Sequence, residues 1–141
     1  MALTSEATTL WFGDLTSGSG TTSLDSSDVA EFPVTWKARA DGVVGQTNPE
    51  ELLAAAHSAC FSMALSHALT QAGTAPESLD TKADVTFQPG TGITGIQLTV
   101  RGVVPGISAE DFVRTAEDAK ANCPVSKALA GTTIELDAAL A

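Results

Sequence analysis

The sequence predicts an α+β fold built as one domain, residues 1–141. Strand-like and helix-like segments are grouped along it rather than alternating. Its 141 residues suit one domain and are too few for two ordinary ones. The run from Leu52 to Pro76 contains no Asp, Glu, Lys or Arg, as expected of a helix buried on every side. The order reads as three strands, a long helix, two strands, two helices and a last strand.

Thr8–Phe12 is β-branched and aromatic and predicts a strand. Ser17-Gly18-Ser19-Gly20 predicts a turn, and Thr21–Leu24 the hairpin partner. Val34–Arg39 alternates and predicts a third strand, followed by a loop from Asp41 to Thr47. Asn48 is a good N-cap, Pro49 fits the first helical position, and Glu50 and Glu51 suit the positive end of the dipole. Gly73 is the expected stop, giving a helix of roughly 24 residues and about 36 Å. One subunit of this size would struggle to cover such a rod, so a dimer that covers it jointly is expected.

Further on, Ala83–Phe87 and Ile93–Val100 flank the hairpin chemistry of Pro89-Gly90-Thr91-Gly92. Ser108 caps the next helix, with Asp111 at its N3 and Phe112, Val113, Ala116 and Ala119 as its apolar stripe. Asn122-Cys123-Pro124 breaks that helix. A short one runs from Pro124 to Ala130 and stops at Gly131, and Thr132–Leu136 closes the chain as a strand.

Composition narrows the function. Seven Lys+Arg against seventeen Asp+Glu give a net charge of -10, which leaves no basic footprint for nucleic acid and disfavours anionic membrane surfaces. With 43% apolar and 17% charged residues the chain is not disordered. His57, Ser58, Ser62, Ser66, His67, Thr70 and Gln71 argue against a membrane span. The first residues lack a basic region followed by an apolar one, so no signal peptide is expected and a reducing cytoplasm is the expected location. His67 is expected in the core or at an interface.

Two cysteines do not make a disulfide scaffold. Cys123 precedes Pro124 at a helix start, where N–H groups and the dipole favour a thiolate, so position alone nominates it as the reactive thiol. Cys60 lies ten residues beyond Glu50, about 15 Å along the helix and out of reach of its dipole. A reactive Cys60 therefore needs a cation, and an Arg at about 4 Å offers up to roughly 4 kcal/mol against 0.3–1 for the dipole. A lone Cys in an Ala-rich helix is also commonly an inert small hydrophobe. His57 shares the face of Cys60 and is either a buried imidazole with a hydrogen-bond partner or the start of a metal site completed by Cys123.

The run Thr47-Asn48-Pro49-Glu50-Glu51-Leu52-Leu53-Ala54-Ala55-Ala56-His57-Ser58-Ala59-Cys60-Phe61-Ser62-Met63-Ala64-Leu65 resembles the OsmC/Ohr family of organic hydroperoxide reductases. The His before Ala-Cys-Phe-Ser-Met is closer to the osmotically inducible OsmC branch. Asn122-Cys123-Pro124-Val125-Ser126 is similar to the family's second motif, and Asp80–Val85 and Val104-Pro105-Gly106-Ile107 extend the resemblance. It implies an intertwined homodimer, with sheets wrapped around a pair of long central helices. It implies Cys60 as the peroxidatic thiol and Cys123 as the resolving one. Arg39, on the strand before the helix, is implied as the activating cation, with Lys37 on the same strand face as the next choice. Glu50 is implied as the carboxylate that orients Arg39.

The same resemblance implies an organic hydroperoxide as substrate and a dithiol reductant, lipoyl or a small thiol. No cofactor and no metal are expected. An unperturbed thiol is only ~3% ionised at pH 7, which is why a cation is needed. Two alternatives stand beside this reading: a non-catalytic ligand-binding protein of the same fold, and a metal site at His57, Cys60 and Cys123.

Overall fold

The computed structural model of the protein describes residues 1–141, which form two compact units, Met1–Pro49 and Glu50–Ala141. The first is an antiparallel meander of β1 (Thr8–Phe12), β2 (Ser19–Ser23) and β3 (Glu31–Val34), in that spatial order. Asp14 organises the first turn. Its Oδ1 accepts from the N–H groups of Thr16 at 2.9 Å and Ser17 at 2.8 Å, and its Oδ2 from the Ser17 hydroxyl at 2.6 Å. The turn therefore closes sooner than Ser17–Gly20, and Ser19 and Gly20 enter β2 opposite Phe12 and Trp11.

Those hydrogen bonds, from Ser17 above all, hold the Asp14 carboxyl at about 2 against an ordinary 3.8. A carboxyl lowered on folding stabilises above its unfolded value and loses that contribution as pH falls through the folded one. The turn should thus be fully held above pH 3.8 and loosen toward pH 2. An NMR titration of Asp14 with its midpoint near 3.8 would show the turn open in solution.

The expected strand at Val34–Arg39 is corrected. Only Val34 belongs to β3; α1 (Trp36–Ala40) follows. Thr35 is its N-cap, with extended backbone and Oγ1 accepting from the Ala38 N–H at 3.2 Å. Six alternating residues fit a strand or one turn of helix equally, and here the cap decides. Arg39 consequently stands on a helix, half-buried, and Lys37 is exposed. Two positions along a helix are about 200° apart, so the shared face expected of them does not exist.

In the second unit, β4 (Ser78–Gln88) and β5 (Gly92–Val103) form an antiparallel hairpin, and β6 (Ile134–Leu140) joins β5 in parallel, giving the order β4-β5-β6. The parallel pairing needs a crossover, supplied by α3 (Ala109–Asn122) and α4 (Pro124–Ala128). All three strands run longer than their apolar patterns suggest. α2 (Pro49–Gln71) begins at Pro49, as expected. It ends in a Schellman motif at Gly73 (φ 85°), where the Gly73 N–H donates to Thr70 O and the Thr74 N–H to Leu69 O.

The core lies between the helices and one sheet face. Phe61, Leu65 and Leu69 of α2 meet Ile96, Leu98 and Val100 of β5 and Phe112, Ala116 and Ala119 of α3. Ser108 caps α3 as expected, accepting from the Asp111 N–H at 3.1 Å. Val113 turns outward, leaving the buried stripe to Phe112, Ala116 and Ala119. Gly102 gives Phe112 its seat, since a Cβ there would lie 2.7 Å from the ring. Gly102→Ala should therefore destabilise by about 1–3 kcal/mol through overpacking, read by denaturant unfolding. An unchanged midpoint would mean that the ring moves freely.

α2 departs from the expectation of burial on every side. Within one chain only the stripe Glu50, His57, Phe61, Leu65 and Leu69 is buried. Met63 is 72% exposed, and Ala55, Ala56, Ala59 and His67 are exposed too. By length and composition alone α2 is apolar enough to cross a membrane, yet its buried stripe packs into the core of a sheet.

Candidate active site

The second unit brings two thiols together. Cys60 sits one residue before Phe61, at the edge of the buried stripe of α2, and is half-buried. Cys123 is the joint between α3 and α4. Its N–H closes α3 on Ala119 O at 2.8 Å, and its carbonyl accepts from Lys127 N–H at 3.0 Å in α4. Pro124 fits the first position of α4 because it has no N–H to satisfy. Its ring is also incompatible with continuing α3, which fixes where the helix breaks. Cys123 is fully buried, both thiols are free, and the two sulfurs are 2.9 Å apart.

Their surroundings differ. Burial pushes the Cys60 thiol up, and the neighbouring Cys123 adds to this against the Val125 N–H. Burial also raises Cys123, but the Cys60 thiol, the Ser126 N–H and hydroxyl and the Val125 N–H outweigh it, so Cys123 is lowered overall. Cys123 makes no side-chain capping bond, so these N–H groups act as oriented dipoles at the start of α4. Of the two thiols, Cys123 is the one whose surroundings favour the thiolate. This agrees in direction with the sequence reading of both residues.

His57, one turn before Cys60, is fully buried, and its Nε2 is 2.7 Å from the Oγ of buried Ser126. The imidazole has the hydrogen-bond partner that one of the two sequence readings expects. Burial lowers its pKa and keeps it neutral. No three His, Cys, Asp or Glu side chains converge where they could hold a metal ion. Ser126 was not singled out by sequence reasoning. Its only signal is its place at the end of the Asn122–Ser126 run, since its partner lies 69 residues away.

Glu50 is buried in the first turn of α2, about 15 Å from Cys60 along the axis. Arg39 belongs to α1 of the first unit. The structure thus unites Cys60 with Cys123 and sets Glu50 about 15 Å from Cys60 along the helix.

Two free thiols in near contact, one lowered and one raised, on a helix and a helix joint over a shared sheet, define a thiol-based redox protein. A family model for OsmC-like proteins matches residues 41–137, and the chain belongs to that family. It is 48% identical over 122 residues to the peroxiredoxin OsmC of Escherichia coli K12, covering 84% of this chain and 85% of that protein. An organic hydroperoxide resistance protein from Elizabethkingia anophelis superposes with a TM-score of 0.73 at 28% identity, over 100% of this chain and 97% of that one. One from Legionella pneumophila, also an OsmC, gives a TM-score of 0.75 at 23% identity over 99% and 98% and shows the shared fold.

Proposed function

We propose that this protein is a thiol peroxidase that reduces organic hydroperoxides to alcohols, with Cys60 as nucleophile and Cys123 as resolving thiol. The 2.9 Å approach of the two free sulfurs carries the reading. The Cys60 thiolate attacks the outer peroxide oxygen. The S–O bond forms, the O–O bond breaks, and the alkoxide leaves and is protonated to the alcohol. Cys123 then attacks the Cys60 sulfenic acid, and water leaves as the disulfide forms. A dithiol reductant, lipoyl or a small thiol, returns both to thiols by exchange.

Cys60 has no cation among the influences on its pKa and is raised, so activation must come from a group that engages with substrate or partner. Arg39 is assigned that role, since its planar fork can face a thiolate and a peroxide together. Glu50 is assigned to orient it. Ala64, Val85 and Val125, which pack against the same core as Cys60, favour an organic substituent over bare hydrogen peroxide. The working form is an intertwined homodimer of one OsmC-like domain per chain, acting in the cytoplasm. The part of α2 beyond Glu51, free of charges and with Met63 72% exposed, and Leu10 and Phe12 of β1 at 60% and 66%, are surfaces that a second copy would cover.

The test is consumption of cumene hydroperoxide with dihydrolipoamide, run beside hydrogen peroxide. Cumene hydroperoxide should turn over at least about tenfold faster in kcat/KM, the contribution of a buried apolar substituent. No turnover by fully reduced protein would leave a non-catalytic binder. Met63→Glu should convert the dimer to monomer in sedimentation velocity. An unaltered sedimentation coefficient would place the dimer contact elsewhere.

A further inference from the structure

We propose that Ser126, held by His57, is a positioning residue for disulfide closure: it turns its hydroxyl hydrogen toward the Cys123 sulfur and keeps that thiol ready to attack. The inference rests on the two-cysteine mechanism above. It begins with the buried bond between α2 and α4, His57 Nε2 to Ser126 Oγ at 2.7 Å. His57 Nδ1 is buried with no partner. A buried orphan N–H is rarer in native structures than a buried lone pair, so the single ring proton belongs on Nε2. Nε2–H then donates to Ser126 Oγ, and the serine's own hydrogen must point elsewhere. Cys123 stands three residues back at the head of α4, near enough for the Ser126 hydroxyl to lower its pKa. The other influences on Cys123 are its burial, Cys60 and the Val125 and Ser126 N–H groups, and no charged side chain is among them.

In the closing step the Cys123 sulfur attacks the Cys60 sulfur. The S–S bond forms, the S–O bond breaks, and the departing hydroxide takes up the proton that Cys123 has lost. Losing one hydrogen bond to a thiolate should raise the Cys123 midpoint by about one pH unit. Below that midpoint the thiolate falls about tenfold, while each thiolate becomes about threefold more nucleophilic, leaving closure about threefold slower.

The experiment is a single turnover of the full-length protein with cumene hydroperoxide at pH 6, quenched with acid, with the Cys60–Cys123 disulfide followed by mass spectrometry. In parallel, thiolate absorbance titrates Cys123 in a Cys60→Ser background. Ser126→Val and Ser126→Thr have the same shape and differ in the hydroxyl, so any packing penalty is common to both. Ser126→Val should close about threefold more slowly with its midpoint raised, and Ser126→Thr should recover both values. Equal rates and midpoints in the two variants would overturn the role of the hydroxyl alone. Wild-type protein that consumes peroxide without forming the disulfide would overturn the two-cysteine mechanism and this inference with it.

Discussion

Cys60→Ser should abolish thiol-dependent reduction of cumene hydroperoxide, with kcat/KM falling by roughly three orders of magnitude or more. A serine hydroxyl at the same site is not ionised at neutral pH and is a poor nucleophile toward peroxide oxygen. Cys123→Ser should behave differently. It keeps the attacking sulfur and removes the partner 2.9 Å away, so it should consume one equivalent of peroxide and then stall as the sulfenic acid. A burst experiment with a sulfenic-acid probe separates the two variants. Full turnover by Cys60→Ser would transfer the nucleophile's role to Cys123, the thiol whose pKa is lowered.

Phe61→Ala should be among the most damaging of the core truncations. Phe61 is fully buried, and it anchors α2 among β5 and α3 next to Cys60. Truncating such a side chain costs about 3–5 kcal/mol, part lost transfer energy and part the cavity left behind. For a chain of this length that lowers the thermal midpoint by roughly 10–20 °C. Calorimetry at fixed protein concentration measures it, since association would otherwise move the midpoint as well. A loss below 1 kcal/mol would mean that the core closes over the gap.

Local signals made much of this molecule legible. Pro49 and Gly73 marked α2 to within two residues, and Ser108 marked the start of α3, because caps and stops are written in neighbouring residues. The grouping of elements gave the α+β class, and the motif around Cys60 gave the family. Longer-range facts were not legible. The parallel β5–β6 pairing depends on a crossover that no turn residue announces. α1 escaped because a single helical turn is too short to show its period. The Cys60–Cys123 contact and the His57–Ser126 bond join residues 63 and 69 positions apart, so only the packed sheet creates them. The exposure of one face of α2 was also hidden, because a run without charges does not say which of its residues the rest of the chain covers.

If the proposed Cys60–Cys123 disulfide forms in turnover, the long interval between the two cysteines makes the catalytic cycle a mechanical cycle as well. Each oxidation would staple α2 to the α3–α4 joint and close a loop of 63 residues, and each reduction would release it. In the chain-entropy view a loop of that size disfavours the unfolded state by about 4 kcal/mol. The waiting, reduced enzyme is then the softer form and the spent one the firmer. A cell under peroxide stress with its reductant exhausted would hold this protein in its most durable state, stored intact until electrons return.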